Sequence, residues 1–111
     1  MSKTLEAMLY RIKADQVDHY PALSRLADQF LAKQPGFIRR EIHQTHDKPE
    51  VFLDLVEWES VEKAQAAADQ VMHDEALKPF VEATAEVINF QFYHPYTGVE
   101  GMPEAAQASR P

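Results

Sequence analysis

An apolar run from Val51 to Trp58 breaks directly into Glu59-Ser60 and then into an alanine-rich stretch. A strand that ends on a large aromatic and turns at once into a helix leaves few ways to arrange the chain around it. Ser60 has the side chain of an N-cap, able to accept a hydrogen bond from a free backbone N–H of the first turn. Glu62 follows where the positive end of the helix dipole favours a carboxylate. The helix then carries Val61, Ala64, Ala68 and Val71 on one side and is expected to break around His73-Asp74.

The remaining elements fall into place around this corner. Leu5 to Lys13 is apolar on both parities, which reads as a strand covered on both faces. From Val17 to Lys33 the spacing turns helical, with Tyr20, Leu23, Leu26, Ala27, Phe30 and Leu31 on one stripe. Pro21 is tolerated only in the first turn, and Pro35-Gly36 stops the helix. Phe37 to His46 is a second strand, joined by the polar turn Asp47-Lys48-Pro49-Glu50 to the Val51 strand as an antiparallel hairpin. Glu75 to Thr84 is a shorter helical piece that Pro79 divides into a turn and a cleaner helix. Glu86 to His94 is the last strand, with Ile88, Phe90 and Phe92 on one face.

The order is a ferredoxin-like βαββαβ, an α+β fold: a four-stranded antiparallel sheet with its helices on one face. On the third strand, Val51, Leu53 and Leu55 are aliphatic and expected on the helix side. The opposite parity, Phe52, Asp54, Val56 and Trp58, is too apolar for water, so a second copy of the sheet is expected to cover it. With 111 residues, positions 1–96 make one domain and 97–111 a Gly/Pro/Ala-rich tail.

Charge and composition exclude several classes of function. The formal net charge is −7, with Arg39-Arg40 the sole basic pair of note, so neither nucleic acid nor an anionic membrane is an expected partner. The absence of cysteine removes disulfides, thiolate metal sites and a Cys nucleophile. The residues from Met1 to Glu6 lack the apolar core of a signal peptide, and no run approaches the ~20 residues that span a bilayer. A cytoplasmic location is expected.

Five features together resemble the antibiotic biosynthesis monooxygenase-like domains of the dimeric α+β barrel superfamily. They are Pro35-Gly36-Phe37 opening strand two, Glu57-Trp58-Glu59-Ser60, the helix from Glu62 to Met72, the His73-to-Phe80 connection, and a final strand ending at His94. The resemblance implies a homodimer with a small-molecule pocket between sheet and helices in each subunit. Haem-degrading relatives use an Asn, a Trp and a His at places that hold Tyr10, Ala67 and Phe80 here. Quinol-oxidising relatives place histidines where this chain has Ala67 and Ala76. The expected function is a homodimeric, cofactor-independent monooxygenase-like enzyme for an aromatic or quinol-type compound, needing no metal. The alternative is a non-catalytic barrel that binds a small apolar ligand or haem.

A cofactor-free oxygenase must deprotonate a phenol or quinol so that the anion can react with O2, and that needs a base titrating near neutrality. His43, mid-strand with Phe37, Arg39 and Glu41, is the best placed histidine, as base or orienter or as an interface residue. Asp54 stands in an apolar strand, where an unpaired carboxylate is expensive. It either pairs with Arg11, Arg39 or Arg40 or acts on a ligand. Tyr10 is a candidate hydrogen-bond donor. Trp58, Phe80, His73 and Phe30 are expected to line the pocket, with packing as the competing role for the aromatics.

Overall fold

The computed structural model describes residues 3–101. Within them the chain forms β1 (Thr4–Ile12), α1 (Tyr20–Ala32), β2 (Phe37–Gln44), β3 (Val51–Trp58), α2 (Val61–Gln70), α3 (Lys78–Ala83) and β4 (Thr84–Tyr93). The four strands make one antiparallel sheet in the order β2-β3-β1-β4. This is the ferredoxin-like α+β arrangement expected from the element order.

The corner after β3 is built as its residues suggest. Ser60 is extended, and its Oγ accepts from Lys63 N at 3.3 Å. Pro21 and Pro79 both lie in the first turn of their helices, where no N–H is lost from the ladder. The helical stripe expected from Val17 divides: Ala14–His19 is a 3-10 turn, and regular helix starts only at Tyr20. Proline's clash with the preceding turn accounts for that boundary. Gly36 has φ +84, and a Cβ there would lie 2.5 Å from Lys63 Cδ, so both backbone and space require glycine. Of the tail expected over 97–111, the described part, 97–101, forms neither helix nor strand.

The faces of β3 are the reverse of the sequence expectation. Phe52, Asp54, Val56 and Trp58 face the helices and are all buried. Leu53 and Leu55 lie on the other face with Leu5, Ala7 and Leu9 of β1, and are half-buried. The physical reason is volume. The sheet–helix layer needs bulk, and Tyr20 of α1 stacks on Phe52 at 3.8 Å, with Tyr10 and Phe80 completing the cluster. The aliphatic residues are left as the open underside. Burying Trp58, Tyr10, Ile12 and Val56 completely contributes roughly 1.5–3 kcal/mol for each large apolar side chain.

Candidate active site

The helix-facing layer is filled at one end and hollow at the other. At the filled end the Tyr10, Tyr20, Phe52 and Phe80 rings pack together. Toward the start of β1, the helix overhead is α2, whose buried positions are only Ala64 and Ala67. Alanines leave the space beneath them unoccupied. The result is a cavity of about 460 Å³, within the size range of small-ligand sites. Its floor includes Met8, Val56 and Phe90 from the sheet, and its walls Phe30, Ala68 and Phe80 from the helices.

Three acids line this apolar space: Glu6 of β1, Asp54 of β3 and, at the exposed rim, Glu86 of β4, which pairs with Arg11. Asp54 is the centre of a buried network. Arg40 Nη2 and Nε donate to its Oδ2 at 2.7 and 3.0 Å, and the Tyr10 hydroxyl donates to Oδ1 at 2.8 Å. With Tyr10 donating to Asp54, the Tyr20 hydroxyl donates to Tyr10. Arg40, its side chain 3% exposed, also donates to the Ser24 carbonyl and hydroxyl and to Asp28 of α1. Burial pushes the Asp54 carboxyl up, with the Arg40 guanidinium and the Tyr10 hydroxyl pulling the other way. Burial and the neighbouring Asp54 charge hold the Tyr10 phenol far above its usual range, so Tyr10 stays a donor.

Glu6 is arranged differently. Trp58 Nε1–H donates to its Oε1 at 3.1 Å. Burial pushes the Glu6 carboxyl up to about 7; Asp54 adds to the shift, while the Trp58 hydrogen bond and Arg40 oppose it.

The structure thus brings Tyr10 and Asp54 into one hydrogen-bonded group, with Asp54 on the cavity wall and Tyr10 fully buried behind it. Of the three arginines open to Asp54 on sequence grounds, Arg40 is its partner. Trp58, Phe80 and Phe30 line the cavity. His73 does not; it borders a separate surface hollow with Gln34 and Asp74. His43 is on the opposite face of the sheet, register partner of Leu53, and its Nε2 lies 2.6 Å from Glu41 Oε2. Strand parity therefore separates it from Tyr10 and Asp54. Arg39 and Glu57 pair at 3.4 Å on that same outer face. Glu6 was not singled out from the sequence, where it is one polar residue near the chain start. Its shared parity with Met8 and Tyr10 was the available signal.

The sheet of order β2-β3-β1-β4 is roofed by the helices, with the apolar cavity at their junction. The antibiotic biosynthesis monooxygenase family model matches residues 5–89. The chain belongs to the antibiotic biosynthesis monooxygenase family. Solved structures agree in fold. A Bordetella bronchiseptica protein assigned to antibiotic biosynthesis monooxygenases superposes with TM-score 0.72 at 17% identity, covering 89% of this chain and all of that one. SnoaB, a cofactor-independent oxygenase from Streptomyces nogalater, gives 0.63 at 15% identity, covering 94% and 100%. MupZ from Pseudomonas fluorescens gives 0.68 at 9% identity, covering 86% of this chain and 70% of that one. Comparison with curated protein sequences returns no match.

A haem in this cavity would need a protein ligand to its iron. No histidine is among the residues lining the cavity, so nothing there supplies an axial imidazole. Among the described residues, no cluster of three or more His, Cys, Asp or Glu could hold a metal ion. No described helix is long and apolar enough to cross a membrane.

Proposed function

We propose that the protein is a homodimeric, cofactor-independent monooxygenase-type enzyme acting on a flat aromatic phenol- or quinol-type compound. The observation that carries this reading is the cavity itself: apolar and aromatic walls sized for a small ring system, with the carboxyls of Glu6 and Asp54 inside and Glu86 at the rim. Apolar walls lower the effective dielectric, which strengthens each interaction with the few polar groups present.

The substrate supplies every electron in such a reaction. Deprotonation gives an electron-rich anion that reduces O2; a ring carbon forms a bond to oxygen, and loss of water leaves a carbonyl. One oxygen atom enters the product and the other leaves as water. Asp54, fixed by Arg40 and Tyr10, supplies a fixed negative charge at the wall, and Phe30, Phe80 and Trp58 bracket the ring. Ligand binding without turnover is the second reading, favoured by Ala67 and Phe80 standing where haem-degrading relatives keep Trp and His. Oxygen-electrode measurements with hydroquinones and polyphenols decide between them. Uptake of one O2 per product carbonyl is expected, and no uptake with any compound that binds leaves the binding module.

The outer sheet face supports the dimer. Leu5, Ala7 and Leu9 with Leu53 and Leu55 form a continuous aliphatic patch on the two central strands, only half-buried in the single chain. Contiguous apolar surface of this kind marks an interface, and a two-fold partner would present the same patch in return. Sedimentation equilibrium at low micromolar concentration is expected to give twice the chain mass, with Leu53→Lys shifting it to one.

A further inference from the structure

One acid on the cavity wall has a free oxygen. Glu6 projects from the helix-facing parity of β1, between Thr4 and Met8, into the cavity. The indole of Trp58, which is completely buried and cannot turn aside, holds Oε1 and so sets the direction of the carboxyl group. Oε2 has no hydrogen-bond partner among the described residues. No buried side-chain oxygen among them lacks a partner either, so Oε2 is open to the cavity rather than sealed in the core. Packing does not explain the residue, because an aliphatic side chain would fill the same position without desolvating a charge.

We propose that Glu6 is the base that accepts the hydroxyl proton of a phenol bound in this cavity. The proton passes from the phenol O–H to Oε2, leaving a phenolate and a neutral glutamic acid; no carbon bond is made or broken in the step. Its catalytic consequence rests on the oxygenase reading above, whereas the recognition of an acidic hydroxyl does not. The charged and titratable groups around Glu6 are few. They are Asp54 from β3, Arg40 from β2, Tyr10 on the same strand and Glu86 at the rim of β4, the last paired with Arg11 at 3.4 Å. The cavity residues from α1, α2 and α3 are uncharged, among them Ala27, Phe30, Ala67 and Phe80. Nothing on the helix side competes for the proton.

The test compares 2-naphthol with 2-methoxynaphthalene, which has the same ring but no acidic proton, by titration calorimetry. Above the Glu6 midpoint, at about pH 8, naphthol is expected to bind roughly ten-fold more tightly than the ether, the advantage of a charge-assisted hydrogen bond. That preference should shrink toward unity at about pH 5, where Glu6 is protonated, and should be lost at both pH values in Glu6→Gln. Carboxyl-carbon NMR of the unaltered protein provides a second readout independent of how the variant folds: the Glu6 signal should move on adding naphthol and not on adding the ether. Equal affinity for the two compounds, a preference that survives Glu6→Gln, an unmoved Glu6 signal or no binding of either compound overturns the proposal. Discrimination without any O2 uptake by the panel above removes the oxygenase reading and leaves Glu6 as a phenol-binding acid.

Discussion

Arg40→Met is expected to destabilise the protein by about 3–5 kcal/mol, the usual loss when one partner of a buried ion pair is removed. The guanidinium makes five hydrogen bonds within 3.0 Å: two to Asp54, two to Ser24 and one to Asp28. Methionine fills much of the same volume, so the loss is electrostatic more than steric. Asp54, 5% exposed, would keep only the Tyr10 hydroxyl and would have to take up a proton to remain buried. The penalty should therefore be smaller at about pH 5 than at neutral pH. Urea unfolding of Arg40→Met, Asp54→Leu and the double variant measures it. The double variant should recover much of the loss, because two apolar side chains leave no charge stranded. A single-variant loss below about 1 kcal/mol would mean that the network adds little to stability.

Glu6→Gln should raise stability at alkaline pH, the opposite of its expected effect on phenol binding. The folded protein holds the Glu6 proton up to about pH 7, against an ordinary value of 4.5. Between those two pH values the folded state binds more protons than the unfolded state, so stability falls as pH rises. The contribution is fully present below about 4.5 and is lost as pH passes through about 7. The loss amounts to at most about 3 kcal/mol, less wherever cavity water relieves the burial. Chemical denaturation at about pH 5 and pH 8 should show wild type losing that increment relative to Glu6→Gln. Parallel pH profiles for the two proteins would show instead that Glu6 is solvated and titrates normally. A residue that weakens the fold at working pH, yet lies at a cavity, fits a site kept for chemistry rather than for packing.

The corner at Trp58 and Ser60 was legible because its signals are local: a bulky strand end, an N-capping hydroxyl and a helix former stretch, each acting within four residues. The hairpin turn at Asp47 to Glu50 and the prolines in the first helical turns were legible for the same reason. Asp54 could be singled out because a carboxylate amid Leu53 and Leu55 needs a partner wherever it goes. Which arginine would answer it depended on the register between β2 and β3, where Arg40 lies opposite Val56. The side of the sheet on which each parity falls is not legible in the sequence. Alternation shows that two faces differ, but both parities of β3 are apolar enough to be buried.

The sequence alone thus determined the order and type of the elements, their caps and stops, and the presence of one costly carboxylate. Tertiary structure alone decided which face of the sheet the helices cover, and with it every neighbour in the site. His43 went to the outer face, the alanines of α2 left a cavity, and Glu6 came up beneath Trp58, fifty-two residues away. Caps and turns are set by a few adjacent residues, whereas the choice of face is made by the summed volume and hydrogen bonding of strands and helices distant in the chain.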